Sequence, residues 1–431
     1  MSETARPATA RPGTAPARPV PAGPATPAGP AAGPSAGPRD PRHLHDAAEL
    51  RALAHGADPG TVRRSLDPGP GDLRALAALL SPAALPHLED LARRARSTTL
   101  RRFGRTVRLF APLYLSNHCL STCTYCGFAR DLPLPRRTLT HEEVRAQAQA
   151  LTAQGLRHLL LVSGEHRGQV GPDYLVECLL RLRDLVPSVS VETQTWTEPV
   201  YERLVRAGLE GVVHYQETYD RGRYRQVHPS GWKRDFDRRL EAFDAAGRAG
   251  ARRLGLGVLL GLAEDWRSDV LALAAHASRL RRVHWRTEVT VSLPRITPSA
   301  SGFRPVTRVS DAEFVQALTA LRVVLPDVGI VLSTRESARL RDGLIRIGVT
   351  HLSAGSRTEP GGYTEPGAAR EQFAVVDDRT PAQVAEAIVA AGREPVFQDA
   401  LPLGRMVPPD GTEGTGGTGG TGRGEPGRTK E

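Results

Sequence analysis

The feature that most constrains the fold is a recurrence of apolar, β-rich runs. Eight occur in order: Val107–Asn117, His158–Glu165, Val189–Trp196, Gly211–Thr218, Arg253–Gly261, Thr287–Arg295, Ile330–Glu336 and His351–Arg357. Helix signals fill the gaps between them. Thr140-x-x-Glu143 and Ser310-x-x-Glu313 read as capping boxes, and Gly155 and Gly250 sit where helices should stop. Strands that alternate with helices must run parallel, joined by right-handed crossovers. Eight such units in about 250 residues predict a closed (β/α)8 barrel of the TIM type. A doubly wound open sheet is the rival, but it rarely needs eight regular units. Thr380-Pro381-x-Gln383 starts one last helix.

The chain has 431 residues, and its flanks read differently from its centre. Residues 1–40 are almost all Pro, Ala, Gly, Thr and Arg, too poor in large apolar groups to offset the entropy of ordering, and read as a disordered tail. Residues 41–105 read as an N-terminal helical segment, with Leu50, Leu53 and Ala54 on one face and Leu73, Leu76, Leu79 and Leu80 on another. Ser81-Pro82 and Leu85-Pro86 mark breaks or helix starts. The barrel is expected over 106–404, with 270–380 completing it, and 405–431 form a Gly/Thr-rich tail. The net charge is +10, yet only Lys233 and Lys430 among 57 basic residues are lysines, and the arginines are scattered beside acids rather than massed. That argues for a solvated Arg-rich surface and against nucleic acid. No apolar run reaches the roughly 18 residues of a membrane span, and the N-terminus lacks a secretory core. A cytoplasmic protein is expected.

Barrel chemistry gathers at the C-terminal ends of the strands. After the first strand comes Cys119-x3-Cys123-x2-Cys126, with Tyr125 before the last Cys and Gly127 after it. Three thiolates on one loop can hold three irons of a [4Fe–4S] cluster and leave the fourth open. A structural zinc site usually has four ligands in two spaced pairs, and His118 abuts Cys119 awkwardly for that purpose. A disulfide would leave an odd thiol and needs an oxidising compartment. Cys178 sits in a helical apolar run and reads as a core thiol.

These motifs resemble the radical S-adenosylmethionine (SAM) superfamily. Ser163-Gly164-Glu165 at the end of the second strand is similar to its G-G-E motif, which implies a carboxylate for the SAM ammonium. Gly257-Val-Leu-Leu-Gly261-Leu-Ala-Glu264 is similar to its G-x-I-x-G-x-x-E segment, which implies packing against adenine. The resemblance narrows to the aromatic amino-acid lyase branch, nearest its tyrosine lyases. It rests on Leu113–Asn117, Tyr215–Tyr219, His228-Pro229-x-Gly231, Leu332–Glu336, Pro360-Gly361-Gly362-Tyr363, Gln372-Phe373 and Asp377-Asp378-Arg379, and it covers residues 45–399. No Cys follows Cys178, which argues against a second cluster.

The resemblance implies cleavage of the Cα–Cβ bond of tyrosine to 2-iminoacetate and 4-cresol, for thiamine thiazole synthesis. The implied cofactors are a [4Fe–4S] cluster on Cys119, Cys123 and Cys126, and SAM held by Tyr125, Ser163, Gly164, Glu165, Glu192, Gly257 and Gly261. Arg335 is the candidate clamp for the substrate carboxylate, with Ser353 and Ser356 beside it. Pairing of Arg335 with Glu336 is the alternative. Gln194 and Glu217 are further candidates for ribose or rim hydrogen bonds; Tyr114, His228 and Arg295 are candidates for the phenol end. The implied partners are an electron donor such as flavodoxin or ferredoxin, and a thiazole synthase subunit. Tryptophan as substrate, and a non-catalytic iron–sulfur or zinc scaffold, are the alternatives.

Overall fold

A computed structural model describes residues 47–398; both expected tails, and the barrel boundary at 404, lie outside the described residues. Four helices lead in: α1 (Ala47–Gly56), α2 (Pro59–Arg64), α3 (Leu73–Leu80) and α4 (Leu88–Phe103). Asp58 and Asp72 cap α2 and α3 by accepting backbone N–H groups. The two proline breaks lie where expected. Helix α3 stops at Leu80, and a 3-10 turn over Pro82–His87 leads into α4.

The alternating region follows. Its first half holds β1 (Thr106–Ser116), α5 (His141–Ala153), β2 (His158–Ser163), α6 (Pro172–Leu182), β3 (Ser188–Glu192), α7 (Glu198–Ala207) and β4 (Gly211–Glu217). Next come α8 (Arg221–Val227), α9 (Phe236–Arg248), β5 (Arg253–Val258), α10 (Trp266–Val283) and β6 (Glu288–Ser292). The last are α11 (Asp311–Val324), β7 (Gly329–Leu332), α12 (Ala338–Ile347), β8 (His351–Ser353), α13 (Pro381–Ala390) and β9 (Glu394–Val396). All three capping boxes form, at Thr140, Ser310 and Thr380. Gly155 and Gly250 both take positive φ, 89° in each case, just past helix ends.

The eight expected strands pair in parallel from β2 round to β8. Strand β1 closes the ring by pairing with both β8 and β2. The closed (β/α)8 barrel is therefore the fold, and the open sheet is excluded. Every strand ends before its apolar run does. Strand β7 stops at Leu332 and β8 at Ser353, so the polar residues that follow leave the sheet and cross the C-terminal mouth. The three-residue β9 had no signal in the sequence: it contains Pro395 and pairs with only Thr106–Arg108 of β1.

Helix α3 is almost wholly buried, because it wedges between α1, α10 and α11. Gln316 on α11 ties it down by donating to the carbonyls of Leu79 and Ser81 at 2.8 and 2.7 Å. At the N-terminal end of the barrel the interior is ionic. Glu288 accepts from Arg108 at 2.9 Å and from Arg253 at 3.3 Å, and Arg253 meets His158 Nε2 at 3.0 Å. Apolar strand middles such as Leu159 and Leu161 form the core, each buried side chain contributing roughly 1.5–3 kcal/mol.

Candidate active site

The cysteine loop leaves the end of β1 through a turn fixed by Asn117. Its Oδ1 accepts from Arg137 N at 2.7 Å, and its Nδ2 donates to Pro135 O at 2.9 Å. The loop is then hemmed in by three glycines. A Cβ at Gly164 would lie 2.3 Å from the His118 carbonyl oxygen, one at Gly231 2.4 Å from Ser121 Cα, and one at Gly127 2.2 Å from the Gln372 carbonyl oxygen. Backbone bonds follow the same lines: Leu120 N to Glu165 O, Thr122 N to Ser230 O, and Gly127 N to Gln372 O. The segments after β2, after α8 and before α13 thus form a cradle. The His228-Pro229-x-Gly231 and Gln372-Phe373 motifs are two of its walls.

Cys119, Cys123 and Cys126 all border one cavity at the C-terminal mouth of the barrel. Burial pushes the Cys119 thiol up to about 11, and Cys126 and Glu165 add to the rise. Cys123 is pushed well up by burial, opposed by Lys233. Two thiols held protonated so firmly need a cationic body beside them to ionise. Among the described residues no three His, Cys, Asp or Glu side chains converge on a point that suits one metal ion. Three thiols around one cavity, unsuited to a single ion, fit a multi-iron cluster better than zinc. Cys178 is fully buried in α6, away from the cavity, with its thiol pushed up to about 12 by burial.

Around the cysteines runs a ring of charge. Glu165 Oε1 accepts from Arg239 Nη1 at 2.9 Å, and its Oε2 faces Ser121 Oγ at 3.4 Å. A carboxylate so held still has lone pairs for an incoming ammonium. Ser163 Oγ is buried at the cavity without a hydrogen-bond partner. Glu192 also borders the cavity; burial, then the Glu217 carboxylate, push it up to about 7. Glu217 accepts from Lys233 Nζ at 2.6 Å and is the only non-glycine among the described residues with positive φ, 68°, at a bulge closing β4. Gln194 takes no part in the cavity. Its amide accepts from His166 N and donates to Val170 O, bracing the loop after β2.

Arg335 borders the cavity from the far side. Its guanidinium stacks on Phe373, 3.4 Å from the ring centroid, and reaches Thr297 Oγ1 at 3.4 Å. The alternative pairing with Glu336 is not made, because Arg295 takes Glu336 through Nε at 3.1 Å. No carboxylate among the described residues pairs with Arg335, and burial pulls its pKa down. Ser353 and Ser356 border the same cavity, and Ser356 Oγ is buried with no partner.

Some expected residues stand elsewhere. Gly257 does not border the cavity: a Cβ there would strike the Tyr215 ring at 2.7 Å, so the glycine makes room for Tyr215, which does. Gly261, with φ 96°, lies under Pro305 and Thr307; Leu259 between the two glycines borders the cavity instead. Of the phenol-end candidates only Tyr114 borders it, donating to Gln372 Oε1 at 2.7 Å. His228 lies behind Tyr125 and meets its hydroxyl at 2.8 Å, and Arg295 is spent on Glu336. The sequence reading missed Lys233, Arg239, Tyr215 and Gln372 as cavity residues. Lys233 had a signal: it is a lysine in a chain that elsewhere uses arginine almost without exception.

Comparison with known proteins agrees with this geometry. The Radical SAM superfamily model matches residues 113–274, and the Biotin and Thiamin Synthesis associated domain matches 292–394. The 2-iminoacetate synthase of Escherichia coli (strain K12) is 41% identical over 351 residues, 81% of this chain and 93% of that protein. The chain belongs to the 2-iminoacetate synthase family. The Salmonella typhimurium synthase is 40% identical over the same shares. The crystal structure of a maturase of the [FeFe]-hydrogenase superposes with a TM-score of 0.76 at 30% identity, covering 83% of this chain and 81% of that one. In this 2-iminoacetate synthase family member the two matched regions divide the cavity between them. The cysteines, Ser163 to Glu165, Glu192 and Lys233 come from the first; Arg335, Ser353, Ser356 and Gln372 come from the second.

Proposed function

We infer that the protein is a radical SAM lyase that cleaves the Cα–Cβ bond of L-tyrosine to 2-iminoacetate and 4-cresol, releasing methionine and 5′-deoxyadenosine. One observation supports this reading above the rest: a single cavity is lined both by three cysteine thiols and by a guanidinium that no carboxylate among the described residues pairs with. The family implies a [4Fe–4S] cluster and SAM, which together supply a carbon radical able to take a hydrogen atom from the substrate amine.

The chain's own residues do the rest. Cys119, Cys123 and Cys126 would hold the cluster. Glu165, oriented by Arg239, would accept from the SAM ammonium, with Ser163 and Gly164 lining its approach. Glu192 is suited to accept from ribose hydroxyls. Tyr125, steadied by His228, closes that side. Arg335 would receive the tyrosine carboxylate in a charge-assisted pair, and Ser356 Oγ would add a donor. Tyr114 feels both Glu192 and Arg335, so we place it at the amino-acid end of the substrate rather than at the phenol. Phe373 and Gln372 cover the cavity and exclude water that would quench a radical.

We further propose a low-potential flavodoxin or ferredoxin as electron donor, a thiazole synthase as consumer of 2-iminoacetate, and the reducing cytoplasm as compartment, which suits a thiolate cluster. The test is anaerobic reconstitution with iron and sulfide, then incubation with SAM, dithionite and each aromatic amino acid. 4-Cresol with glyoxylate, the hydrolysis product of 2-iminoacetate, is the expected result from tyrosine alone. A tryptophan-derived product without cresol overturns the substrate; absence of SAM cleavage overturns the enzyme.

A further inference from the structure

The cysteine loop reaches the surface on one side, at Leu120. A shallow surface groove there is lined by Leu120 of the loop itself, by Arg130, and by Trp232, Arg234 and Arg238 from the segment after α8 and the start of α9. That segment is a wall one strand of backbone thick. Gly231 presses on Ser121, where a Cβ would come within 2.4 Å of Ser121 Cα. Lys233 turns inward to Glu217 and the cavity, while Trp232 on its other side is 41% exposed.

The outer face is cationic. Arg167 and Arg238 stack on the Trp232 ring, 4.1 and 4.5 Å from its centroid. Neither they nor Arg130 and Arg234 pair with a carboxylate among the described residues. The groove's lining also holds one acid, Asp235, whose side chain caps α9 by accepting from Arg238 N, against the three arginines Arg130, Arg234 and Arg238. Elsewhere the surface arginines commonly meet an acid, as Arg145 meets Asp184 and Arg221 meets Asp237. Guanidiniums without an acid partner around an exposed indole form a patch that an acidic surface would complement; aromatic and Arg side chains are the usual anchors of an interface.

We propose that this groove is the docking surface for an acidic one-electron carrier protein. The proposal rests on the radical SAM reading above. The carrier would give up one electron to the cluster that Cys119, Cys123 and Cys126, on the loop behind Leu120 and Ser121, would hold. Charge complementarity steers the encounter, and the thin wall keeps the transfer distance short. Dissociation after transfer suits a groove with a small apolar centre and a charged rim.

The experiment compares the reconstituted holoenzyme with the double variant Arg234→Glu/Arg238→Glu. Binding of a purified flavodoxin, and separately of a plant-type ferredoxin, is measured by calorimetry at low and high salt. The wild type should bind at least one carrier, more weakly as salt rises. The variant should bind it about 10-fold or more weakly, since steering alone spans that range. Iron content and dithionite-driven 5′-deoxyadenosine release should stay unchanged, because neither arginine enters the cavity. Equal carrier binding by variant and wild type overturns the surface, as does a wild type that binds neither carrier. Arginine-dependent binding of an RNA oligonucleotide in place of either carrier also overturns it. Failure of the wild type to cleave SAM with dithionite would count against the proposed function instead.

Discussion

Arg335 is a largely buried cation with an aromatic face and a hydroxyl for company and no carboxylate paired to it among the described residues. Phe373 beneath it and the Glu217 and Glu192 charges across the cavity steady it, and it gains most when a carboxylate arrives. Arg335→Ala should therefore raise the tyrosine KM about 10- to 100-fold, matching the roughly 1.5–3 kcal/mol of a charge-assisted hydrogen bond. It should also raise the ratio of 5′-deoxyadenosine to 4-cresol, since a loosely held amine misses the reacting carbon. Product analysis by chromatography checks both; unchanged coupling would remove Arg335 from the clamp. Glu192 offers a second reading at this scale. Its carboxyl is pushed from 4.5 up to about 7, so its contribution to stability is present below the unfolded value and is lost as pH rises through about 7. Glu192→Gln abolishes that loss. The melting temperature of the variant relative to wild type should climb between about pH 5 and pH 8, and a flat difference would show that Glu192 is not buried with its charge opposed. The cysteines and Arg335 were legible in the sequence because a polar group at the end of an apolar strand has few uses other than chemistry. Gly257 and Gly261, expected beside the cofactor, do not border the cavity, since a glycine records only that something comes close, not what. At Gly257 the close neighbour is Tyr215.

The elements explain why the cysteine loop can exist at all. It is a run of tight turns that buries Ser121, Cys123 and Phe128, held by segments that follow β2, α8 and β8. Each contact is made at a glycine, Gly164 and Gly231 in the segments and Gly127 in the loop itself, so the loop's shape depends on close backbone approach as well as on the packing of Phe128. Gly164→Ala and Gly231→Ala should each displace the loop, because the new Cβ would meet backbone atoms at 2.3 and 2.4 Å. Reconstituted iron per chain should fall by more than half in both, with far-ultraviolet circular dichroism unchanged. Gly343→Ala is the control. That glycine lies inside α12 with nothing within 4 Å, so alanine there should stabilise the protein by about 0.5–1 kcal/mol and keep full iron content. Iron loss in all three would mean the glycines matter through general stability. Strand and helix order was readable because periodicity and capping boxes are local signals. The cradle was not, because it joins separate stretches of the chain, Leu120 to Glu165, Thr122 to Ser230 and Gly127 to Gln372, and Lys233 and Arg239 sit on helical turns whose patterns show only a solvated face. Strand β9 escaped for the opposite reason: three residues including a proline carry no periodicity.

At the scale of the whole molecule the barrel has two ends with separate duties. The C-terminal mouth carries the thiols, the unpartnered Ser163 and Ser356, the strained Glu217 and the open guanidinium. These features cost stability, and they stand where strands give way to loops. The N-terminal end carries the ionic plug, in which Glu288 answers Arg108 and Arg253. Between them lie the apolar strand middles, so a change at one end has little means of reaching the other. Removing Glu288 takes from Arg253, whose side chain is only 9% exposed, the carboxylate it meets at 3.3 Å. Because Glu288 itself is half-buried, Glu288→Ala should destabilise by about 2–3 kcal/mol, less than the roughly 3–5 of a fully buried pair. Its iron content and its 5′-deoxyadenosine yield per cluster should match wild type at low temperature. Cys119→Ala should do the reverse: it should lose the cluster and all SAM cleavage while the cluster-free melting temperature hardly moves, since a half-buried thiol at the rim contributes little packing. Cys178→Ala, in the core of α6, should resemble Glu288→Ala in kind, with a small loss of stability and a retained cluster. Melting temperature and iron content measured side by side on the three variants decide the matter. If Glu288→Ala lost its iron, or Cys119→Ala melted as early as Glu288→Ala, the two ends would be coupled and the division of duties along the barrel axis would fail.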